Sequence, residues 1–480
     1  MTAIRNIIQL ALVPIILIGC ASQPHKDPIA AMLDPSRSSS SRIRALNQIQ
    51  QQQQDAPLSD PQSKRYLKSL HGLVWNDSHP LPLRQRATEL LIAENQYAFL
   101  ESANDLITLV DQWNMIIYLL DLAKQNRWQS FTIAAVHSWA RTSTLYTDSD
   151  RPERDFIQIL NPTQTPRQTL LKILTGNYHG TPPTNRPQSA MLTTKRHQIA
   201  AWLVLTRIMP QSDLYAALAA ADRNSQISQD LYTAKQSLTQ LPTTREGLLW
   251  INYLLHNQTP LGSPDSFSDL APTDPYWQST LHIRHLPVAI RHKRSEKINP
   301  TAKSIRKYLS KQTPYLRTDH PHQAEESFSQ QADQLSPADL LIIQNIIEAV
   351  QSPAVLQLLF EQADRDIKDT TTELGGVLTW NESNQFIAQP FPPEIRAHDR
   401  KFYASNQLIK SMYTGLAHYH FHAQKHKNHQ FAAPGKGDQN FADRLGTHAV
   451  VFTFISTNTL NVDYYQPNGI VIDLGTISRP

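Results

Sequence analysis

The sequence predicts a multidomain chain in which an all-α body, built as a solenoid or an irregular bundle, is followed by an α+β domain. Three observations lead there. Between residues 62 and 290 apolar side chains recur at helical spacing, as in Leu106, Val110, Trp113, Ile117 and Leu120, which step by four, three, four and three. Beyond about residue 370 the texture changes to short β-rich runs, Gly375–Trp380, Ala449–Ile455, Leu460–Tyr465 and Ile470–Leu474. Between these textures, residues 256–336 are rich in Pro, Ser, Thr, Gln and His and show little periodicity, so a linker with short elements is expected over 291–336.

Taken in order, residues 1–19 carry one basic side chain, Arg5, then an apolar run from Ile7 to Ile18, and end on Gly19 before Cys20. That layout is an export signal, too short and interrupted for a membrane span. Leu17-Ile18-Gly19-Cys20 resembles the lipobox of bacterial lipoproteins, which implies acylation, palmitate included, at Cys20 and a membrane partner through that lipid. Ala21 in the second mature position, where a retention signal would favour Asp, points to the outer membrane, with the face undetermined. Residues 20–61, with Ser38–Ser41 and five glutamines from Gln50 to Gln54, read as a lipid attachment site and polar tether, with a helical part around Ile43 and Leu46.

Within the helical body, Ile199, Trp202, Leu203 and Leu205 group near Ile208 and stop before Pro210. Segments at 84–99, 129–142, 214–221 and 246–255 give further helices, with Trp113, Trp128, Trp139, Trp202 and Trp250 as packing anchors. In the domain at 337–480, helices are expected at 337–350 and 353–367 before the strands. Asn468-Gly469 suits a tight hairpin between the last two.

Cys20 is the single cysteine, so no intrachain disulfide can form. The formal charge of +4 falls by one when the leader is removed, a near-balance that gives no reason to expect nucleic acid as a partner. Basic residues do gather at Arg291, His292, Lys293, Arg294, Lys297, Lys303, Arg306 and Lys307, a pattern more often found on a solvated loop or helix face.

The densest chemical signal is Gly415-Leu416-Ala417-His418-Tyr419-His420-Phe421-His422. On a strand alternate side chains share a face, so the three histidines can point together and two can reach one metal ion. Asp438, after the turn-like Ala432–Gly437, can head a helix and supply an oxygen ligand. Three protein ligands leave room for the water of a catalytic zinc site, and Glu373 is the leading candidate for the base. Shifting the ligand pair by two, to His418 and His420, remains open at this level. Asp399 and Arg400, near His398, could border the cleft. Asp463, Tyr464, Tyr465 and Asp473 read as packing residues of the terminal strands.

These residues resemble the JAMM (JAB or MPN-type) zinc metalloprotease domain over about 340–480, less than a third of the chain. The family's early Glu-x-Gly-Gly-x-Leu corresponds to Glu373-Leu374-Gly375-Gly376-Val377-Leu378, its His-x-His to His420-Phe421-His422, and its helix-heading Asp to Asp438. The resemblance implies Zn²⁺ on His420, His422 and Asp438, a water activated by Glu373, and a peptide or protein substrate cut at a peptide or isopeptide bond. His418, His429 and Gly435 would lie just behind the ligands. The chain departs from the pattern in three places. Gly435 stands where members carry a serine, Ala423 stands where a proline follows the second histidine, and fifteen residues separate His422 from Asp438. Losing one oxyanion donor costs about 3 kcal/mol of transition-state stabilisation, so His429 or a backbone N–H would have to replace the serine. The reading from another class is a non-catalytic envelope scaffold with a degenerate domain of this type, its helical body holding a protein partner.

Overall fold

The computed structural model describes residues 24–141, 143, 145–178, 195–238, 240–256, 281–293, 301–315, 327–396 and 402–480. The leader and Cys20, as well as Arg294, Lys297, His398, Asp399 and Arg400, lie outside the described residues. A helix-rich N-terminal part is followed by a part that mixes helices with a six-stranded sheet. Among the described residues no helix is long and apolar enough to cross a membrane.

Two compact units are present, one ending at Arg141 and one running from there to the C-terminus. The boundary therefore falls far before residue 290, and the helices from Pro152 to His256 belong to the unit that holds the sheet. The first unit also corrects the tether expected over 20–61. Pro28–Leu33 and Ser39–Asp55 are helices that bury Ile29, Met32, Ala45, Leu46 and Ile49, while Gln51, Gln52 and Gln54 stay exposed. The helix expected around Ile43 and Leu46 runs on through the glutamines, which occupy its outer face. The stripe from Leu106 to Leu120 is likewise not one helix. The chain leaves the helix Leu81–Leu106 through a 3₁₀ turn at Ile107–Leu109, and a new helix, Trp113–Gln125, buries Met115, Ile116, Leu119 and Leu120. The core of this unit centres on Phe99, whose ring lies 5.9 Å from those of Trp75 and Trp128 and 6.3 Å from Phe131.

In the second unit the sheet comprises β1 (Gly375–Trp380), β2 (Phe386–Phe391), β3 (Ala417–His422), β4 (Ala449–Ser456), β5 (Thr459–Gln466) and β6 (Ile470–Ser478), in spatial order β2-β1-β3-β4-β5-β6. All neighbours are antiparallel except β3 and β4, which run parallel. A parallel pair needs a crossover, and this one contains the helix Lys436–Leu445. Strand β2 is the strand of the sheet that sequence reasoning missed. It carries Pro390, which cannot donate to a ladder and is tolerated because β2 is an edge. The expected hairpin forms between β5 and β6, with Asn468 and Gly469 at φ of 70° and 71°.

Helices cover both faces of the sheet. Tyr419, Phe421, Phe452 and Phe454 face the helix Pro353–Lys368, from which Phe360 approaches Phe454 to 6.2 Å and Gln362 accepts a 2.6 Å hydrogen bond from the Tyr419 hydroxyl. The opposite face packs Val377 against Leu408, Met412 and Leu445, and Tyr465 against Ala442, Ala449 and Val451. Of the basic group, Arg291 lies 4.5 Å over the Trp380 ring and donates to Asn384, and Arg306 donates to the carbonyls of Ala332 and Leu335. Those two cations are used within the fold.

Candidate metal centre

The site forms at the C-terminal end of β3, beside the parallel pair, where the crossover must leave the sheet and open a crevice. Alternation along β3 sends His418, His420 and His422 to one face. Because β1 runs antiparallel with Gly375 opposite His420, Glu373 arrives level with His422. Both glycines after Glu373 are required by close approach. A Cβ on Gly375 would strike the Tyr419 carbonyl oxygen and crowd the Phe402 ring, and one on Gly376 would run into the Gln389 carbonyl oxygen and the Tyr419 hydroxyl. The third segment is the first turn of the helix Lys436–Leu445, where Asp438 reaches back to accept the Gly435 N–H at 2.7 Å.

Glu373, His420 and His422 place ligand atoms within 4.8 Å of one another. Asp438 closes the set, with Oδ1 3.3 Å from His420 Nε2 and Oδ2 3.7 Å from His422 Nε2. Hydrogen bonds define the tautomers. His422 Nδ1 lies 2.7 Å from the Phe431 carbonyl oxygen, which can only accept, so Nδ1 carries the proton and Nε2 presents its lone pair toward Asp438. His418 Nδ1 donates to the Gly376 carbonyl at 3.1 Å. Among the described residues neither ring nitrogen of buried His420 has a hydrogen-bond partner, although Nε2 pairs with Asp438 at 3.3 Å. Orphaned buried nitrogens beside a carboxylate are what an ion would satisfy.

The charges agree with this arrangement. Burial, followed by the neighbouring His420, pushes His422 down to about 4, so it is neutral near pH 7. Burial is also the largest influence on His420, but the carboxylates of Asp438, Glu373 and Asp366 together outweigh it and raise the imidazole above its ordinary value. Asp438 is the reciprocal case, held well below the usual carboxylate range because His420 and His422 overcome the effect of burial.

A cavity of about 510 Å³ opens on this cluster, lined by its four residues with His418, Gln424, Gly435 and Tyr465, and walled by Phe402, Tyr403, Phe431 and Phe441. Of the sequence candidates, Glu373, His420, His422 and Asp438 meet. His418 lines the cavity floor under Phe402, with ring centroids 5.4 Å apart, and Gly435 lies at the rim. His429 is not among the lining residues. The shifted pair is disfavoured, because His418 is outside the ligand cluster and commits Nδ1 to Gly376. Sequence reasoning missed Gln424, which donates to Glu373 at 3.3 Å, and the Phe431 carbonyl. Any residue offers a carbonyl, so no signal could have marked Phe431.

A second buried group, His285, Asp339 and His448, also brings ligand atoms together. Its hydrogen bonds argue against an ion. The His282 N–H donates to His285 Nδ1 at 3.0 Å, so His285 Nε2 must carry the proton that it gives Asp339 at 2.8 Å. Asp339 further accepts from Arg284 at 3.2 Å and from the Ser336 hydroxyl at 2.7 Å. An ion there would have to expel a needed proton and sit beside a guanidinium. This group is a network that ties the helix Pro337–Gln351 to the segment before it.

Fold and site together define a helix-rich chain ending in a sheet domain with a metal-coordinating His/Asp cluster that is plausible on geometry. No protein-family model, curated protein or solved structure matches the chain.

Proposed function

We propose that the chain is a zinc-dependent hydrolase of peptide or isopeptide bonds, with a C-terminal domain of the JAMM type. The observation that carries this reading is the convergence of Glu373, His420, His422 and Asp438 from three chain segments into one cavity. Two imidazoles and a carboxylate suit Zn²⁺ and leave a coordination position open. When bound, zinc supplies Lewis-acid polarisation of water and of the scissile carbonyl. His422 binds through Nε2 because Phe431 holds its other nitrogen, and His420 gives up its proton to bind. Glu373, oriented by Gln424, takes the proton of the attacking water and hands it to the leaving amine. Phe402, Tyr403, Phe431 and Phe441 give the substrate an aromatic wall, which favours an apolar side chain beside the scissile bond.

Anchoring in the cell envelope through a lipid on Cys20 is proposed from the leader's sequence, with a periplasmic peptide or crosslink as substrate and a protein partner for the helices. The scaffold alternative keeps one specific support, the absence of a hydroxyl at Gly435. Glu373→Gln separates the two. The hydrolase reading expects zinc and fold retained with cleavage of a peptide library reduced about 10²–10⁴-fold. Equal cleavage by wild type and variant would remove Glu373 from the mechanism. Recovery of an envelope partner that survives Glu373→Gln but is lost with the helices, together with no cleavage by wild type, would favour the scaffold.

A further inference from the structure

We infer that Tyr465 donates the hydrogen bond that stabilises the oxyanion during hydrolysis, a role that rests on the hydrolase reading above. Among the described residues that line the cavity, side-chain hydroxyls come only from Tyr403 and Tyr465. Tyr403 is partly exposed. Tyr465 is buried to 1% exposure, and its hydroxyl oxygen is enclosed without a hydrogen-bond partner among the described residues. Of the other neutral donors, the Gln424 amide is committed to Glu373, His418 Nδ1 to the Gly376 carbonyl and His422 Nδ1 to the Phe431 carbonyl.

The position of Tyr465 follows from the sheet. It lies opposite Ala449 on β4, which in turn lies opposite His418 on β3, so its side chain emerges on the face that carries the histidines. The small Ala449 leaves the ring free to lean toward His420, and the two rings meet edge to face at 6.4 Å and 88°. Ala442, Val451 and Val471 hold the ring from the other sides. Phenylalanine would fill that space equally well without enclosing a polar atom. A buried, unpaired hydroxyl requires an explanation, and a substrate oxygen in the cavity supplies one.

In the step concerned, the water oxygen bonds to the carbonyl carbon while its proton passes to Glu373. The carbonyl π pair moves onto the carbonyl oxygen, which accepts the Tyr465 O–H hydrogen bond. Collapse restores the C=O bond, breaks C–N and returns the proton to the departing amine. The donor is already desolvated, which strengthens such a hydrogen bond once the substrate oxygen displaces the groups that enclose the hydroxyl.

The test compares zinc-loaded wild type and Tyr465→Phe in binding a phosphinic dipeptide in which PO₂⁻CH₂ replaces a Phe–Ala amide. Zinc content and thermal midpoint are measured on the same samples. The expected result is phosphinate affinity about 10²-fold weaker in Tyr465→Phe, with equal zinc and a thermal midpoint no lower than wild type, since only an unpaired hydroxyl has been removed. Phosphinate affinity within twofold of wild type would overturn the role. So would a lowered thermal midpoint accompanying the weaker binding, which would mark the hydroxyl as structural. Wild type that holds zinc but does not bind the phosphinate would overturn the role of Tyr465 and leave the metal site standing. Wild type without zinc would defeat the hydrolase reading itself.

Discussion

His422 Nδ1 lies 2.7 Å from the carbonyl oxygen of Phe431, and that single contact determines which ring nitrogen faces Asp438. The loop that delivers Phe431 is itself held. Ala433 has a φ of 80°, unusual for a residue with a side chain, and its N–H donates to Asp463 Oδ2 at 2.8 Å. Asp463→Ala should therefore leave the sheet folded while freeing the loop. Outer contacts of this kind are worth roughly 10–100-fold in metal affinity, so zinc competition titrations should show weakening in that range. Unchanged affinity would mean that His422 is oriented without the loop.

Gly376 faces the Gln389 carbonyl oxygen and the buried Tyr419 phenol, which is itself bonded to Gln362, so the strand cannot accommodate even a methyl group there. Gly376→Ala is expected to destabilise the second unit by about 1–3 kcal/mol through overpacking, read as a lower urea midpoint with an unchanged slope. The same substitution at Gly437, where a Cβ meets nothing within 4 Å, serves as the control and should be close to neutral.

The buried network gives the protein a pH dependence that is separate from the metal centre. His448 donates from Nδ1 to Tyr464 at 2.6 Å and leaves Nε2 without a hydrogen-bond partner among the described residues, near Arg284, His282, His285 and Asp339. Burial first, and then Arg284, hold His448 well below its ordinary value and put His282 at about 3. Groups with depressed folded values bind protons more readily when unfolded. Their stabilising effect is therefore full above pH 6.5 and is lost as pH falls toward their folded values. Asp339, held below the carboxylate range despite burial, contributes a constant amount down to about pH 4. Metal-stripped protein should thus lose roughly 1.4 kcal/mol per pH unit for each such histidine between pH 6.5 and 4. His448→Gln should flatten that slope, and a slope that does not change would show that His448 is not buried neutral.

How much of this was legible in sequence depended on whether the signal was local. Alternation around His418–His422, the Gly375-Gly376 pair and the helix-heading Asp438 are short patterns; the structure brings the histidines and Asp438 into one cavity, and the glycines set the strand that delivers Glu373 to it. The strands beyond residue 440 were equally plain because their β-branched and aromatic runs are buried nearly throughout. What failed depended on distance or on an averaged property. Glutamine content hid how far the helix around Leu46 extends, to Asp55, and an apolar stripe ran across a break at Ile107–Leu109. Pro390 masked an edge strand. Tyr465 could not be told from Tyr464 because alternation separates their faces without saying which one meets the cavity.

The central claim is that His420, His422 and Asp438 hold one metal ion, and the most direct measurement is zinc content of purified protein by elemental analysis. Wild type, Glu373→Gln and the doubly substituted His285→Asn, His448→Gln protein should each hold about one zinc per chain, because the second buried group holds none. His420→Ala, His422→Ala and Asp438→Ala should each lose most of it, with folding confirmed by circular dichroism. Full zinc retention after replacing both His420 and His422 would contradict the account.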